Sequence, residues 1–572
     1  MRPFSSLPLV LLTAVMLAVG CGDNAQPEEK QTETPFFSVS PKTFDTFSSV
    51  GGTFSLDVVS NVGYNCSIAS SCQSWISSAG TKGATVTTLT FIVAENESEE
   101  ERSGEITISG GNEKVTIKIN QDGAKAVPPA PEQKSTTFDP SSIAASFALV
   151  SDVHIDGVGT SPAKKFASAL EQLRDKAASN DEDGIDAVIV AGDLINNAAY
   201  NSSYYVETDY FKSIYESVFD PVKVPMIYTI GNHDTFKWWT SITLSEAKNI
   251  SSRLGEKYFR NDLDKDALSE LECRHCVVNG YNILCITPIS LSPVTYPDKS
   301  KEWLESKLAS ITAEEPEKYV FVITHPMIYN TVYGSDLGTY WYTESLTDIL
   351  KKYPQAVTFS GHLHFPINDP RSIWQGDFTS FGCGSVRYMA IEAGGYEDMA
   401  GSTTMQDKDD ISSGLFVQLD VNGNMKISKM FFSQGEEFGS PWEISYPQSD
   451  RSHLTKYNHS SLKAANTPPS LGKLDVELNA TSSGAKTVTA KFAAASDDEF
   501  AHHYVLTLKK GSETLVTKKI LSDYYRCTQP SSMKKEWTRS MGDFASGDYT
   551  LSLVAYDSWD AASAEVSVSF KI

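Results

Sequence analysis

Positive charge is scarce in this sequence. Its 48 Lys and Arg face 72 Asp and Glu, a formal charge of −24 at pH 7. A protein that binds nucleic acid through its backbone needs a basic footprint, so that class is excluded by charge. A small phosphate ester is not excluded, because cations held in a site dominate the field there. Long apolar runs are also missing. The stretch from Leu7 to Val19, behind Arg2, falls short of the roughly 20 residues a membrane span requires and has the layout of an export signal. No later segment is long and apolar enough to cross a membrane. Cysteine is sparse, with eight in 572 residues, and so is histidine, with ten. Where those few histidines fall becomes the main clue.

The leader ends Leu17-Ala18-Val19-Gly20-Cys21, which resembles a bacterial lipobox with Cys21 as the lipidated residue. The resemblance implies that residues 1–21 are a lipoprotein signal peptide. The mature chain is then expected to be exported and lipid-anchored to the bacterial cell envelope, at the outer membrane or cell surface. Disulfides are permitted outside the cytoplasm, and Cys66 and Cys72 are close enough in sequence to pair across a turn. Cys273-Arg274-His275-Cys276 has the spacing of half a zinc site or a redox pair. Structural zinc needs a second pair of ligands, and no second CxxC follows. The stretch leads instead into a hairpin around Asn279-Gly280.

The length predicts three or four domains. Residues 22–35, with Pro27, Glu28, Glu29 and Lys30, read as a polar tether. From 36 to 123 short alternating runs such as Thr53–Val59 and Lys114–Ile119 are punctuated by Gly and Asn, the pattern of a β-sandwich. Gly51-Gly52, Trp75-Ile76-Ser77, Ala94-Glu95-Asn96, Arg102–Ile108 and Gln121-Asp122-Gly123 resemble the BACON domain, which implies a surface-enzyme module with carbohydrate as a candidate partner. Tyr64 and Cys66 stand where many members carry Trp, which favours a spacer over a sugar-binding role. Residues 124–140, with Pro128-Pro129-Ala130-Pro131, read as a stiff Pro-rich linker.

The segment 141–450 alternates buried strands with amphipathic helices, which predicts βαβ crossovers. Ser161-Pro162 opens one helix with Phe166, Leu170 and Leu173 on its inner face; Phe211, Ile214, Tyr215 and Val218 mark a second, and Trp303, Leu304 and Leu308 a third. A hairpin across Val421–Asn424 is expected to found a second sheet, giving a four-layer αββα core between two all-β domains. Five polar motifs follow apolar runs: Asp152-Val153-His154, Gly192-Asp193, Gly231-Asn232-His233-Asp234, Thr324-His325 and Gly361-His362-Leu363-His364. Strand ends of this kind converge on the carboxyl edge of an α/β sheet, where open folds place their sites.

Five of the ten histidines lie in these motifs, which scattered structural histidines would not do. In an extended chain Asp152 and His154 point to one side, as do His362 and His364. Asp193 offers two oxygens, enough to bridge two cations. Two aspartates, one asparagine, four histidines and no thiolate suit Mn, Fe or Zn better than Ca or Mg.

The ordered set DxH, GD, GNHD, H, GHxH resembles the signature of the calcineurin-like metallophosphoesterases. The resemblance implies two divalent or trivalent transition-metal ions. One would be held by Asp152, His154, Asp193 and His364, the other by Asp193, Asn232, His325 and His362. It leaves His233 as the catalytic imidazole, with Asp234 orienting or charging it, and a phosphate ester attacked by hydroxide generated between the metals. Leu194–Asn197 carries neither the Tyr of purple acid phosphatases nor the Asp-Arg-Gly of serine/threonine phosphatases. Phe236, Trp238, Trp239 and the stretch Tyr329–Tyr342 are candidate substrate loops, able either to stack on a base or sugar or to close the cleft floor.

After a linker at 451–467, residues 468–572 return to alternating strands, and 547–570 resembles the closing hairpin of a fibronectin type III-like domain. His453, His459, His502 and His503 are expected to be solvated. Two function classes stay open at this point: an exported metal-dependent phosphoesterase acting on small-molecule or glycan-linked esters, diester or monoester, and a surface glycan-binding or adhesive protein with an incidental central domain.

Overall fold

A computed structural model describes residues 34–82, 86–124, 134–180, 184–196, 204–237, 241–242, 244–255, 271–291, 293–526, 531 and 533–572. The signal peptide with Cys21, most of the tether, the prolines at 128–131 and the loop residues Trp238 and Trp239 lie outside them. The chain divides into two compact units, Met1–Gln133 and Lys134–Ile572.

In the first unit two antiparallel sheets form a sandwich. One runs Phe37–Ser40, Gly52–Ser60, Val86–Val93, Ile76–Lys82; the other runs Tyr64–Ile68, Arg102–Gly110, Glu113–Gln121. Alternate residues turn inward, so Leu56, Val58, Phe91, Ile106, Ile108, Ile117 and Ile119 are buried. Cys66 and Cys72 remain thiols, and Cys72 Sγ donates to Ala69 O at 3.2 Å, so the pairing the spacing permits is not made.

The core of the second unit is the expected αββα sandwich. In its first sheet Met226–Thr229, Ala187–Ala191 and Ile143–Val150 are parallel neighbours, followed by antiparallel Ser413–Asp420 and Met425–Phe431. In the second, Tyr281–Cys285, Val320–Ile323, Ala356–Ser360 and Thr379–Gly382 run parallel, with Arg274–Val278 and Ile373–Gln375 on the edges. Phe147, Leu149, Ile189, Ile283, Phe321 and Phe359 fill the space between the sheets. Ser161–Asn180, Tyr204–Val218 and Leu244–Leu254 cover the outer face of the first sheet, and Asp298–Glu314 with Thr347–Leu350 the outer face of the second.

Two local expectations meet different outcomes. The Asn279-Gly280 hairpin forms as a two-residue turn, with Val278 opposite Tyr281 and φ of 48° and 75° at the turn residues. The 414–430 hairpin does not found the second sheet. It joins the first, because Leu415, Val417 and Leu419 face the middle layer while Phe416 faces the helices, and a strand buried on both faces suits a central position.

The C-terminal part is a sandwich of Leu474–Ala480, Lys486–Ala493 and Glu536–Phe544 against Glu513–Leu521, Ala501–Lys510, Asp548–Asp557 and Val566–Lys571. This is consistent with a fibronectin type III-like domain, but it belongs to the same compact unit as the αββα core. The expected linker at 451–467 is packed structure. Ser452–Leu454 and His459–Ala465 are helical, Gln375 Nε2 donates to His453 O at 2.8 Å, and the His459 ring bonds Ile373 O at 2.7 Å. The expectation that His453, His459, His502 and His503 are solvated is therefore corrected. His453 and His502 are buried, His459 and His503 half-buried, because each ring lies against the core or the contact with the C-terminal sandwich.

Candidate metal centre

Every motif lies just beyond the carboxyl end of a parallel strand. Asp152 and His154 follow Ile143–Val150, Asp193 follows Ala187–Ala191, and Asn232 and His233 follow Met226–Thr229. From the second sheet, His325 follows Val320–Ile323, and His362 and His364 follow Ala356–Ser360. The chain bends sharply there. φ is 53° at Asp152, 51° at His154, 54° at Asp193, 73° at His362 and 58° at His364. This left-handed region is disfavoured for residues with a Cβ and persists where surrounding contacts over-determine it, as at ligand clamps. Here the contacts are visible: His154 N–H donates to Asp193 O at 2.9 Å, and His362 N–H lies 3.2 and 3.0 Å from the two oxygens of Asp152. The motif glycines leave room for the ligands. A Cβ on Gly361 would overlap Ser151 Oγ and Asp152 Oδ2, and one on Gly231 would overlap the Asp193 carboxylate.

The donor atoms fall into groups. Those of Asp152, His154 and His364 lie within 4.8 Å of one another, as do those of Asp193, His325 and His362, and of His154, Asp193 and His233. In the first group His364 Nε2 is 3.1 Å from Asp152 Oδ1 and 3.1 Å from His154 Nε2. In the second His325 Nε2 is 3.2 Å from Asp193 Oδ2 and 3.0 Å from Asn232 Oδ1. Ligands bound at about 2.1 Å to a common ion stand about 3 Å apart, so the spacing fits metal. Asp193 Oδ2 stands 3.5 Å from His154 Nε2 and 3.2 Å from His325 Nε2, while Oδ1 accepts the His233 N–H at 2.7 Å.

Backbone carbonyls choose which imidazole nitrogen faces the cluster. His325 donates from Nδ1 to Ala191 O at 2.8 Å, His364 from Nδ1 to Tyr388 O at 3.1 Å, and His362 from Nε2 to Tyr340 O at 3.1 Å. The nitrogens left facing the cluster are thereby Nε2 of His325 and His364 and Nδ1 of His362. His154 Nδ1 is buried with no hydrogen-bond partner among the described residues.

Electrostatics follow from lone pairs packed together out of water. Burial pushes His233 and His362 down to about 3 and lowers His154. His325 goes the other way: burial lowers it, but the charge and hydrogen bond of Asp193 outweigh that and raise it to about 9. Burial would raise Asp152 and Asp193, yet the imidazoles around them hold both carboxyls below their usual range. A cation at the convergence point would relieve the same repulsions.

Asp234 is not the group on the His233 imidazole nitrogen Nδ1. Its Oδ1 accepts Ile195 N–H at 3.0 Å and its Oδ2 accepts Gly231 N–H at 2.8 Å, tying the GD turn to the GNHD turn. Burial and then Asp193 push it up to about 8. His233 Nδ1 instead lies 2.9 Å from Asn196 Oδ1. Sequence reasoning missed Asn196, although it stands three residues after Asp193. Of the aromatic collar, it named Tyr340 and Trp341 within the 329–342 stretch and missed Tyr388. Tyr340 and Trp341 pack on His362 with ring centroids 5.2 and 5.0 Å away, and Tyr388 packs on His364 at 4.2 Å. Among the candidate substrate residues, Tyr329 and Tyr342 pair at 4.5 Å and line a cleft of about 680 Å³. Cys273, Cys276, Cys285 and Cys383 are buried thiols, and His275 Nε2 bonds Asn282 Oδ1 at 2.8 Å, so no metal cluster forms there among the described residues.

Fold and donor set define an α/β sandwich built to hold metal at the carboxyl edges of both sheets. Residues 145–366 match the calcineurin-like phosphoesterase family, a family of metal-dependent phosphoesterases, and the central domain belongs to it. Residues 67–122 match the BACON family. No curated protein matches the chain. Among solved structures, one determined by NMR for a protein from Bacteroides thetaiotaomicron is 19% identical over 18% of this chain and 98% of its own, with a TM-score of 0.11. Domains 4 and 5 of the S-layer protein SbsC are 16% identical over 16% of this chain and 54% of theirs, at 0.13. A Bacteroides ovatus GH5 xyloglucanase in complex with a XXXG heptasaccharide is 12% identical over 57% of this chain and 65% of its own, at 0.15. Scores this low carry no conclusion about activity or partners.

Proposed function

We propose that the protein is an exported, surface-tethered phosphoesterase that hydrolyses a small-molecule or glycan-linked phosphate ester, diester or monoester. The observation that carries the reading is Asp193 Oδ2 standing between two donor groups, 3.5 Å from His154 and 3.2 Å from His325. Asp152, His154, Asp193 and His364 would hold one transition-metal ion, and Asp193, Asn232, His325 and His362 a second. When bound, such ions supply Lewis-acid charge and lower the pKa of water.

The other steps fall to the chain itself. Asn196 accepts from His233 Nδ1–H and so fixes the tautomer and tilt of that ring. Burial keeps His233 neutral near pH 7, and the negative charge of an arriving phosphoryl group favours protonation of its second nitrogen. That proton can pass to the departing alkoxide. The collar of Tyr340, Trp341 and Tyr388 shields the donors from water, which strengthens each electrostatic contact inside. The leader with Arg2, Leu7–Val19 and Cys21 supports export and anchoring.

Hydrolysis of chromogenic phosphodiesters and monoesters with added Mn, Fe or Zn tests the reading. No turnover with any of the three would sink it, and the diester-to-monoester ratio assigns the substrate class. The BACON match leaves carbohydrate a candidate partner of residues 36–123 beside the spacer role that Tyr64 and Cys66 favour, and glycan-array binding by that segment alone separates the two.

A further inference from the structure

The C-terminal sandwich grips the chain immediately after the last ligand candidate, His364. Asn368 Nδ2 donates to Tyr524 O at 2.5 Å, and Asn368 O accepts the Tyr524 hydroxyl. Asp369 accepts the Tyr525 hydroxyl at 2.7 Å while Arg371 closes a two-pronged pair on the same carboxylate at 2.8 and 2.7 Å. His502 enters beside them, with Nε2 3.2 Å from the Tyr333 hydroxyl and 3.4 Å from Glu392 Oε1, and Tyr333 donates on to Glu392. The Arg371 guanidinium lies 3.8 Å over the Tyr333 ring. Tyr333, Asn368, Asp369, His502, Tyr524 and Tyr525 are all buried.

Contacts between domains of one chain are usually hydrated and tolerant of motion. This one sinks a carboxylate, an imidazole and three phenols out of water, with the part-buried Arg371 guanidinium over them, and there losing any partner strands the others. Each group is therefore held in one arrangement. The segments held are those that set the ligand histidines. Tyr333 opens the stretch that ends at Tyr340, whose carbonyl takes the His362 Nε2–H, and Glu392 closes the stretch that begins at Tyr388, whose carbonyl takes the His364 Nδ1–H. Outside the buried hub, the half-exposed pairs of Arg526 with Asp407 and Arg539 with Asp398, both at 2.9 Å, add little positional restraint.

We propose that the C-terminal sandwich is a positioning part of the metal centre: His502, Tyr524 and Tyr525 hold the 333–340, 368–371 and 388–392 segments so that His362 and His364 present their ligand nitrogens. The inference rests on the phosphoesterase reading. The three residues act through other side chains: His502 through Tyr333 and Glu392, Tyr524 through Asn368, and Tyr525 through Asp369.

The test uses the full chain, stripped of metal, with Mn or Zn titrated by calorimetry and kcat and KM measured on a chromogenic ester. Tyr525→Phe removes one oxygen, His502→Leu removes the imidazole's hydrogen bonds, and His502→Gln keeps an amide donor at similar reach. Partners outside a ligand shell affect metal affinity by 10–100-fold, and the low end applies one contact further out, so affinity is expected to fall roughly tenfold in Tyr525→Phe and His502→Leu. kcat should fall with KM little changed, and His502→Gln should recover most of the loss. Variants that melt cooperatively yet bind metal and turn over like the unsubstituted chain would overturn the proposal. If His502→Leu fails to fold, Tyr525→Phe decides. Metal binding and turnover by the unsubstituted chain with no effect of either substitution defeats the positioning role alone; absence of metal binding by the unsubstituted chain defeats the phosphoesterase reading as well.

Discussion

The sharpest consequence of the site geometry concerns Asn196 and His233. The Nδ1 nitrogen of the ring lies 2.9 Å from Asn196 Oδ1. A neutral hydrogen bond of this kind contributes about 0.5–1.5 kcal/mol net, and each 1.36 kcal/mol is tenfold in rate, so Asn196→Ala is expected to lower kcat roughly two- to tenfold. His233→Ala removes the proton carrier itself and is expected to lower kcat by about 10²–10⁴-fold. Asn196→Asp keeps the acceptor, adds charge beside Nδ1, and should retain activity while shifting the ring's protonation to higher pH. The assay is kcat on one chromogenic ester across pH 5–9, with metal content of each purified variant measured alongside. Asn196 Oδ1 bonds His233, which is not one of the seven ligand candidates, so bound metal should stay at the unsubstituted level in Asn196→Ala. Equal losses in Asn196→Ala and His233→Ala, or loss of metal with activity in His233→Ala, would refute the assignment.

Three further outcomes follow from named contacts. Asp234→Ala strands the buried N–H groups of Ile195 and Gly231, each at about 1–3 kcal/mol, so it should lower Tm and release metal, unlike His233→Ala. Gly361→Ala forces a methyl into Ser151 Oγ and Asp152 Oδ2; overpacking of this sort costs about 1–3 kcal/mol, and calorimetry should show weakened metal binding at the group containing Asp152. Burial, then the Arg371 charge, pushes His502 down to about 3, below its unfolded value of about 6.5, so its contribution is complete above that value and is lost as pH falls toward 3. The slope is at most about 1.4 kcal/mol per pH unit, and urea unfolding of His502→Gln should be flatter over that window than the unsubstituted chain. Parallel pH profiles for the two would remove His502 as the source.

What could be read in the sequence was whatever local chemistry demands particular residue types. Asn279-Gly280 is legible because both positions need positive φ, and Phe166, Leu170 and Leu173 because helical spacing puts them on one face. The five motifs are legible because no other role asks for Asp, Asn and His together at successive strand ends. Three kinds of feature leave no such mark. Strand order is non-local, so the 414–430 hairpin gives no sign that it will lie beside Phe147 and Leu149. Backbone donors and acceptors carry no residue identity, which hides both the carbonyls of Ala191, Tyr340 and Tyr388 and the His233 N–H that takes Asp193 Oδ1. Polar residues buried at a contact within one unit look like surface residues, which is why His453 and His502 read as solvated.

The strain at the centre ties these observations together. Asp152, His154, Asp193, His362 and His364 occupy left-handed backbone that costs of order 1–3 kcal/mol apiece, and they aim lone pairs at one another, with His154 Nε2 and His364 Nε2 3.1 Å apart. A chain selected for stability alone would place glycine or asparagine at such turns and separate the rings. Holding them together requires restraint from outside the site. Two sheets supply it through the strand ends, and the buried contact of His502, Tyr524 and Tyr525 supplies it for the half contributed by the second sheet. The half contributed by the first sheet is anchored within that sheet, by His154 N–H on Asp193 O and by Ser151 on Asp152. The C-terminal sandwich adds restraint beside His362 and His364, on the segments whose Tyr340 and Tyr388 carbonyls set the ring nitrogens.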